Sequence, residues 1–144
     1  MKSYKHLIIA TKTYMSLSLI SLFYVSLMAL LDPQAVMDLV QVKLENNDAL
    51  SSIRGVYGGV GFTICLSTLY LLVNFPEKGA AFLSLFWGSY AFSRLITLLS
   101  DGPLGDFGTQ WFFIEGLFAL LGLGLWFALK SKRRQQKFIP KQGF

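Results

Sequence analysis

One cysteine, Cys65, and one histidine, His6, are all the thiol and imidazole this chain contains. A lone thiol excludes an intrachain disulfide, and without a His/Cys ligand set there is nothing from which to build a zinc or haem centre. His6 lies in the N-terminal segment and Cys65 inside an apolar run, and neither Ser-His-Asp nor phosphate-loop patterns occur. Catalysis is therefore disfavoured, and no cofactor and no metal are expected. Acidic residues are scarce as well: 8 Asp and Glu stand against 13 Lys and Arg, for a net charge of +5. The basic excess flanks apolar segments instead of forming a polar basic face, so nucleic acid is not an expected partner.

What the chain has in abundance is apolar surface. Of its 144 residues 53% are hydrophobic, more than a water-soluble domain of this size can hide, and the mean hydropathy is +0.52. The apolar residues fall into four runs, 14–31, 55–73, 79–99 and 107–129. Each approaches the roughly 20 residues that cross a hydrocarbon core as a helix. In lipid such separate passes must satisfy their own backbone, which helices do and isolated strands do not. The run 14–31 is too long for the apolar core of a secretory signal and ends at Asp32-Pro33, so it reads as an uncleaved anchor. The expected fold class is all-α: an antiparallel bundle of four transmembrane helices over 14–129, between basic segments 1–13 and 130–144.

Charge sets the expected direction. Lys2, Lys5 and Lys12 precede the first run, while Lys130, Lys132, Arg133, Arg134, Lys137 and Lys141 follow the last. Asp32, Asp38, Glu45, Asp48, Asp101 and Asp106 sit in the other connections. An even number of crossings and the Lys/Arg bias agree on both termini being cytoplasmic. The basic tail also suits anionic phospholipid, with Phe138, Ile139 and Phe144 expected at the interface. Between the first two runs, Asp32-Pro33 predicts a helix start. Val36, Leu39 and Val40 recur at helical spacing, so a short interfacial helix is expected on the outer side. Asn46 and Asn47 should end it and begin the next helix near Asp48. Trp111 and Trp126 lie near the two ends of the fourth run, as an interfacial aromatic belt requires.

Two constellations carry the chemistry. Gly55, Gly59, Thr63 and Ser67 fall every four residues, and with Gly88 they are expected to let a neighbouring helix pack closely. Arg94 and Glu115 are charges placed where lipid penalises them. Arg94 lies about 10 Å below Asp101 and Glu115 about 13 Å below Asp106 at 1.5 Å per residue, so they are expected to form an intramembrane polar pair. Arg54, Tyr57, Gly58, Tyr90, Asp101 and Gln110 could extend that pair into a pocket toward the outer surface.

Taken together, Pro33, the run Arg54-Gly55-Val56-Tyr57-Gly58-Gly59, Ser93-Arg94 with Asp101-Gly102, and Glu115 resemble a bacterial family of small four-span membrane proteins catalogued as domain of unknown function 4345. The likeness runs from about Tyr14 to Leu129. It implies fold and topology, and brings no reaction, ligand or partner. The leading functional expectation is a non-catalytic accessory or assembly subunit of a membrane complex. Its partners would be membrane lipids and other membrane-protein subunits or copies of itself. The alternative is a binding protein or carrier for a small anionic or lipid-like molecule, using an Arg/Glu pocket in the outer half. A third reading is a membrane enzyme working with a quinone-like partner. A dry, directly bonded Arg94–Glu115 pair favours the first; a cleft beside it reaching Arg54 favours the second.

Overall fold

A computed structural model describes residues 2–137; Phe138, Ile139, Lys141 and Phe144 lie outside the described residues. The described chain is helical, without strands. Helix α1 (Lys2–Leu31) is followed by the short α2 (Pro33–Asp38), α3 (Asn47–Ile53), a π-helical segment (Arg54–Val60), α4 (Gly61–Asn74), α5 (Pro76–Ser100) and α6 (Asp106–Lys137). α3, the π segment and α4 are continuous, so four helical rods are long and apolar enough to cross a membrane: Ser3–Leu31, Asn47–Asn74, Pro76–Ser100 and Asp106–Gln135. Their outward surface is rich in exposed side chains such as Leu17, Ile20, Leu66, Leu85, Leu99 and Leu120. Water would penalise that surface and lipid does not. The protein is a multi-pass membrane protein.

Each helix boundary has a local cause. Asp32 caps α2 by accepting from the Ala35 amide at 3.3 Å, with Pro33 in the first turn. Asn46 caps α3 by accepting from Ala49 N at 2.8 Å. Only Phe75 separates α4 from α5, and Pro76, which has no amide to leave unbonded, starts the new helix. α2 is shorter than its spacing suggests. It ends at Asp38, Gln41 takes a positive φ of 59°, and the buried residues are Pro33, Val36 and Met37 instead of Val36, Leu39 and Val40. Leu39 and Val40 fall after the helix, where its periodicity no longer applies. Gln34 holds the returning connection: its Nε2 donates to Asp38 Oδ1 at 2.6 Å and to Val42 O at 3.0 Å, and its Oε1 accepts from Leu44 N at 2.8 Å.

The core joins α1, α5 and α6. Tyr14, Met15, Leu83 and Trp87 are its buried centre. Because the exterior is also apolar, the ties that specify it are polar and small-residue contacts. Tyr14 donates to Phe118 O at 3.0 Å, Ser84 to Ala119 O at 2.7 Å and Trp87 Nε1 to Ser18 Oγ at 3.1 Å. Along α5 and α6, Glu77 meets Arg133, Ser84 meets Ala119 and Arg94 meets Glu115, so these two helices run in opposite directions.

The small-residue stripe faces a different way from its expected one. Gly55 and Gly59 have open space where a Cβ would project, and Thr63 and Ser67 are exposed and bond to carbonyls of their own helix. The face that meets α1 is Gly58, Gly61, Cys65 and Thr68, with Gly58 against Leu30 and Gly61 against Ser26. Small residues occur on both sides of this rod, so size alone does not choose the packed side. Gly88 does face α6, where a Cβ would lie 3.7 Å from Ala119.

A paired substitution tests this packing. A methyl on Gly122 would meet Ser84 Cβ at 3.0 Å and the Ala80 carbonyl at 3.1 Å, whereas Gly124 has nothing within 4 Å. Gly122→Ala should lower stability in mild detergent by about 1–3 kcal/mol, the usual range for overpacking. Gly124→Ala should leave the melting temperature unchanged or raised, because alanine is the better helix former.

Candidate binding cavity

The cavity is built around one ion pair. Arg94 sits on α5 seven residues before its C-cap Asp101, and Glu115 sits on α6 nine residues after its first residue. The guanidinium grips the carboxylate with two bonds: Nε donates to Oε2 at 2.7 Å and Nη2 to Oε1 at 3.0 Å. The Glu115 side chain is 3% exposed and that of Arg94 21%. Such a fork-to-fork arrangement is the strongest form of side-chain hydrogen bonding, and it leaves both carboxylate oxygens satisfied. The Phe107 ring, whose centroid is 5.9 Å from Arg94 Cζ, adds a cation–π contact on the outer side.

A cavity of about 210 Å³ opens against this pair in the half of the bundle that carries α2 and the α5–α6 turn. α5 contributes Phe86, Trp87, Tyr90 and Arg94, and α6 contributes Phe107, Trp111 and Glu115. Both sets follow helical spacing on a single face. Opposite them lie Ser21, Leu22 and Val25 of α1 and Tyr57 of the π segment. Val36, Met37, Leu39 and Val40 form the roof, held down by the Gln34 hydrogen bonds. Among the described residues, neither the Tyr57 nor the Tyr90 hydroxyl has a protein hydrogen-bond partner.

Several residues expected near the pair stand apart from the cavity. Arg54 is exposed and donates through Nε to Leu30 O at 3.3 Å, tying the π segment to the end of α1. Gly58 is buried against Leu30. Asp101 is exposed beyond the last turn of α5, and Gln110 is exposed, one residue off the 107, 111, 115 face of α6. Tyr57, Tyr90, Arg94 and Glu115 are the four that come together. Sequence reasoning passed over Trp87, Phe107 and Trp111 as cavity walls, although each lies three, four, seven or eight residues from one of the charges. Trp111, expected at the membrane interface, is a wall of the cavity, and Trp126 lies under the Lys130 ammonium, 4.6 Å from its ring centroid. No spacing rule points to the roof, because it comes from a connection folding back over the bundle.

A larger groove of about 580 Å³ runs along the outer face of α5 and α6 past Gly88, Phe92 and Leu120. It has no charged group and only two helices for walls, so it offers acyl chains a surface and not a bounded site.

The helical bundle and its shielded charges define the class: a small multi-pass membrane protein with a polar centre inside the bundle. The chain belongs to the family described as a domain of unknown function, DUF4345, whose model matches residues 10–129. No curated protein and no solved structure matches it.

Removing one partner of the pair strands the other in an apolar bundle. Arg94→Met alone and Glu115→Gln alone should each destabilise by about 3–5 kcal/mol. The combined Arg94→Met, Glu115→Gln variant should be more stable than either single variant, as read from thermal unfolding in the same detergent. If the two losses simply add, the residues are not coupled.

Proposed function

We propose that this protein is a non-catalytic binding protein or carrier for a small lipid-like molecule, held in the outer-half cavity beside Arg94 and Glu115. The observation that carries the reading is the cavity itself: an aromatic-lined space ending on a polar centre, sharing no lining residue with the apolar groove along α5 and α6. A bundle needing the ion pair only as a staple could close dry around it. Here the pair is directly bonded, as a staple requires, and the space beside it stops short of Arg54, yet that space, lined by Tyr57, Tyr90 and Trp111, remains open against the pair. Apolar walls with a few convergent polar groups are the usual composition of small-molecule sites. The protein resides in a bacterial inner membrane with both termini cytoplasmic, a topology supported by the Lys/Arg bias of the two ends.

A second reading, an accessory subunit of a membrane complex, draws support from a different feature. The stripe Gly55, Gly59, Thr63 and Ser67 is unoccupied within the chain and suits close approach of a helix from another copy or subunit. The two readings are compatible, since the stripe and the cavity face different ways.

Gentle-detergent purification followed by mass spectrometry separates them. A bound lipid-like molecule should accompany the wild type and be lost from Val25→Phe, which fills the cavity wall without touching either charge. Recovery of a stoichiometric partner protein with no such molecule would favour the accessory role instead.

A further inference from the structure

We infer that the cavity accepts an uncharged ring bearing hydroxyl or carbonyl oxygen, with its apolar tail outside, and discriminates against acidic head groups. This rests on the binding reading above and names the ligand class for the same site. The argument begins with charge. Among the described residues Arg94 is the only cationic side chain lining the cavity, and its counter-ion is already in place, gripped at 2.7 and 3.0 Å. A carboxylate or phosphate brought to Arg94 would also approach Glu115 and meet like charge at similar range. It would leave its own hydration behind without an unpaired cation to receive it.

The hydrogen-bonding capacity that remains suits a neutral oxygen. A guanidinium has five N–H groups, and Glu115 engages two of them in Arg94, leaving three donors. The Tyr57 and Tyr90 hydroxyls can each donate or accept. The walls favour a flat partner: Phe86, Trp87, Phe107 and Trp111 supply aromatic faces and edges around the same space. Size decides how much of the ligand enters. At about 210 Å³ the cavity is smaller than the roughly 300–1,000 Å³ of sites that enclose a whole drug-sized molecule. It therefore takes a head, and an attached chain stays against the lipid-facing surface.

A matched pair of probes tests the inference: 4-hexylphenol and 4-hexylbenzoate, alike in ring and tail and differing in charge at pH 7.5. Full-length protein in phosphatidylcholine nanodiscs is titrated with each, and binding is read from tryptophan emission, since Trp87 and Trp111 line the cavity. Val25→Phe in identical nanodiscs supplies the signal due to bilayer partitioning alone. The expected result is a Val25→Phe-sensitive signal with the phenol bound at least tenfold more tightly than the benzoate. In Glu115→Gln, which releases the guanidinium, the preference should move at least tenfold toward the benzoate. Equal or tighter benzoate binding to the wild type, still sensitive to Val25→Phe, would overturn the inference while leaving the binding reading intact. An unchanged preference in a folded Glu115→Gln protein would overturn it too. If neither probe gives a cavity-sensitive signal, the binding reading falls with it. The wild-type comparison decides the matter even where Glu115→Gln does not fold.

Discussion

A guanidinium cannot rest inside an apolar bundle without its counter-charge, and that requirement governs how α5 and α6 meet. Arg94 and Glu115 face each other with two short bonds, and the same helix pair is tied further along by Ser84 to Ala119 and by Glu77 to Arg133. These ties differ greatly in weight. The Glu77–Arg133 contact spans 3.3 Å between a half-buried carboxylate and an exposed guanidinium and contributes little, while the Arg94–Glu115 pair, with its carboxylate almost fully buried, cannot be exchanged for water without cost. Sliding one helix by a turn would separate the buried charges by about 5.4 Å along the axis. Register is thus enforced by electrostatics at one point and by close van der Waals contact elsewhere.

Much of this architecture was legible because lipid simplifies the code. Long apolar runs, and Asp32-Pro33 and Asn46 near helix starts, state local backbone requirements that tertiary packing does not override. That Arg94 and Glu115 lie at matching levels of consecutive helices could likewise be counted from the neighbouring aspartates, and the two do pair. Direction around each helix was harder to read. Gly55 and Gly59 look as suited to packing as Gly58 and Gly61, and only the position of Leu30 and Ser26 on α1 distinguishes them. In a soluble helix the polar side announces itself; here both sides are apolar or small, so that signal is missing. Leu39 and Val40 show the complementary limit. They were placed on a helical face, but the helix stops before them and they contribute to the roof through a returning loop.

The π segment connects these observations. Its seven residues include Gly55, Gly58 and Gly59, and it sits where the rod leaves the level of the roof and enters the bundle. Gly58 brings the backbone against Leu30, and its neighbour Tyr57 turns to the cavity. π geometry is uncommon and recurs beside functional sites, where a widened turn alters the aim of adjacent side chains. Close packing toward α1 and an open wall toward α5 and α6 are therefore properties of consecutive residues. The same economy appears on α5, where Trp87 both seals the core through Ser18 and lines the cavity.

The single residue between α4 and α5 also bears on biosynthesis. With Phe75 as the only break, the two rods form a tight hairpin, and Arg94 belongs to its second arm. Glu115 lies 21 residues later in the chain. At about 5–20 residues per second, the ribosome delivers the carboxylate roughly one to four seconds after the guanidinium. During that interval α5 carries an unpaired cation, off its midpoint, whose insertion is opposed by at most about 2.5–3.5 kcal/mol, the cost at a helix centre. That penalty is lifted once α6 brings Glu115 alongside, so the second arm of the hairpin is stabilised by a helix made after it.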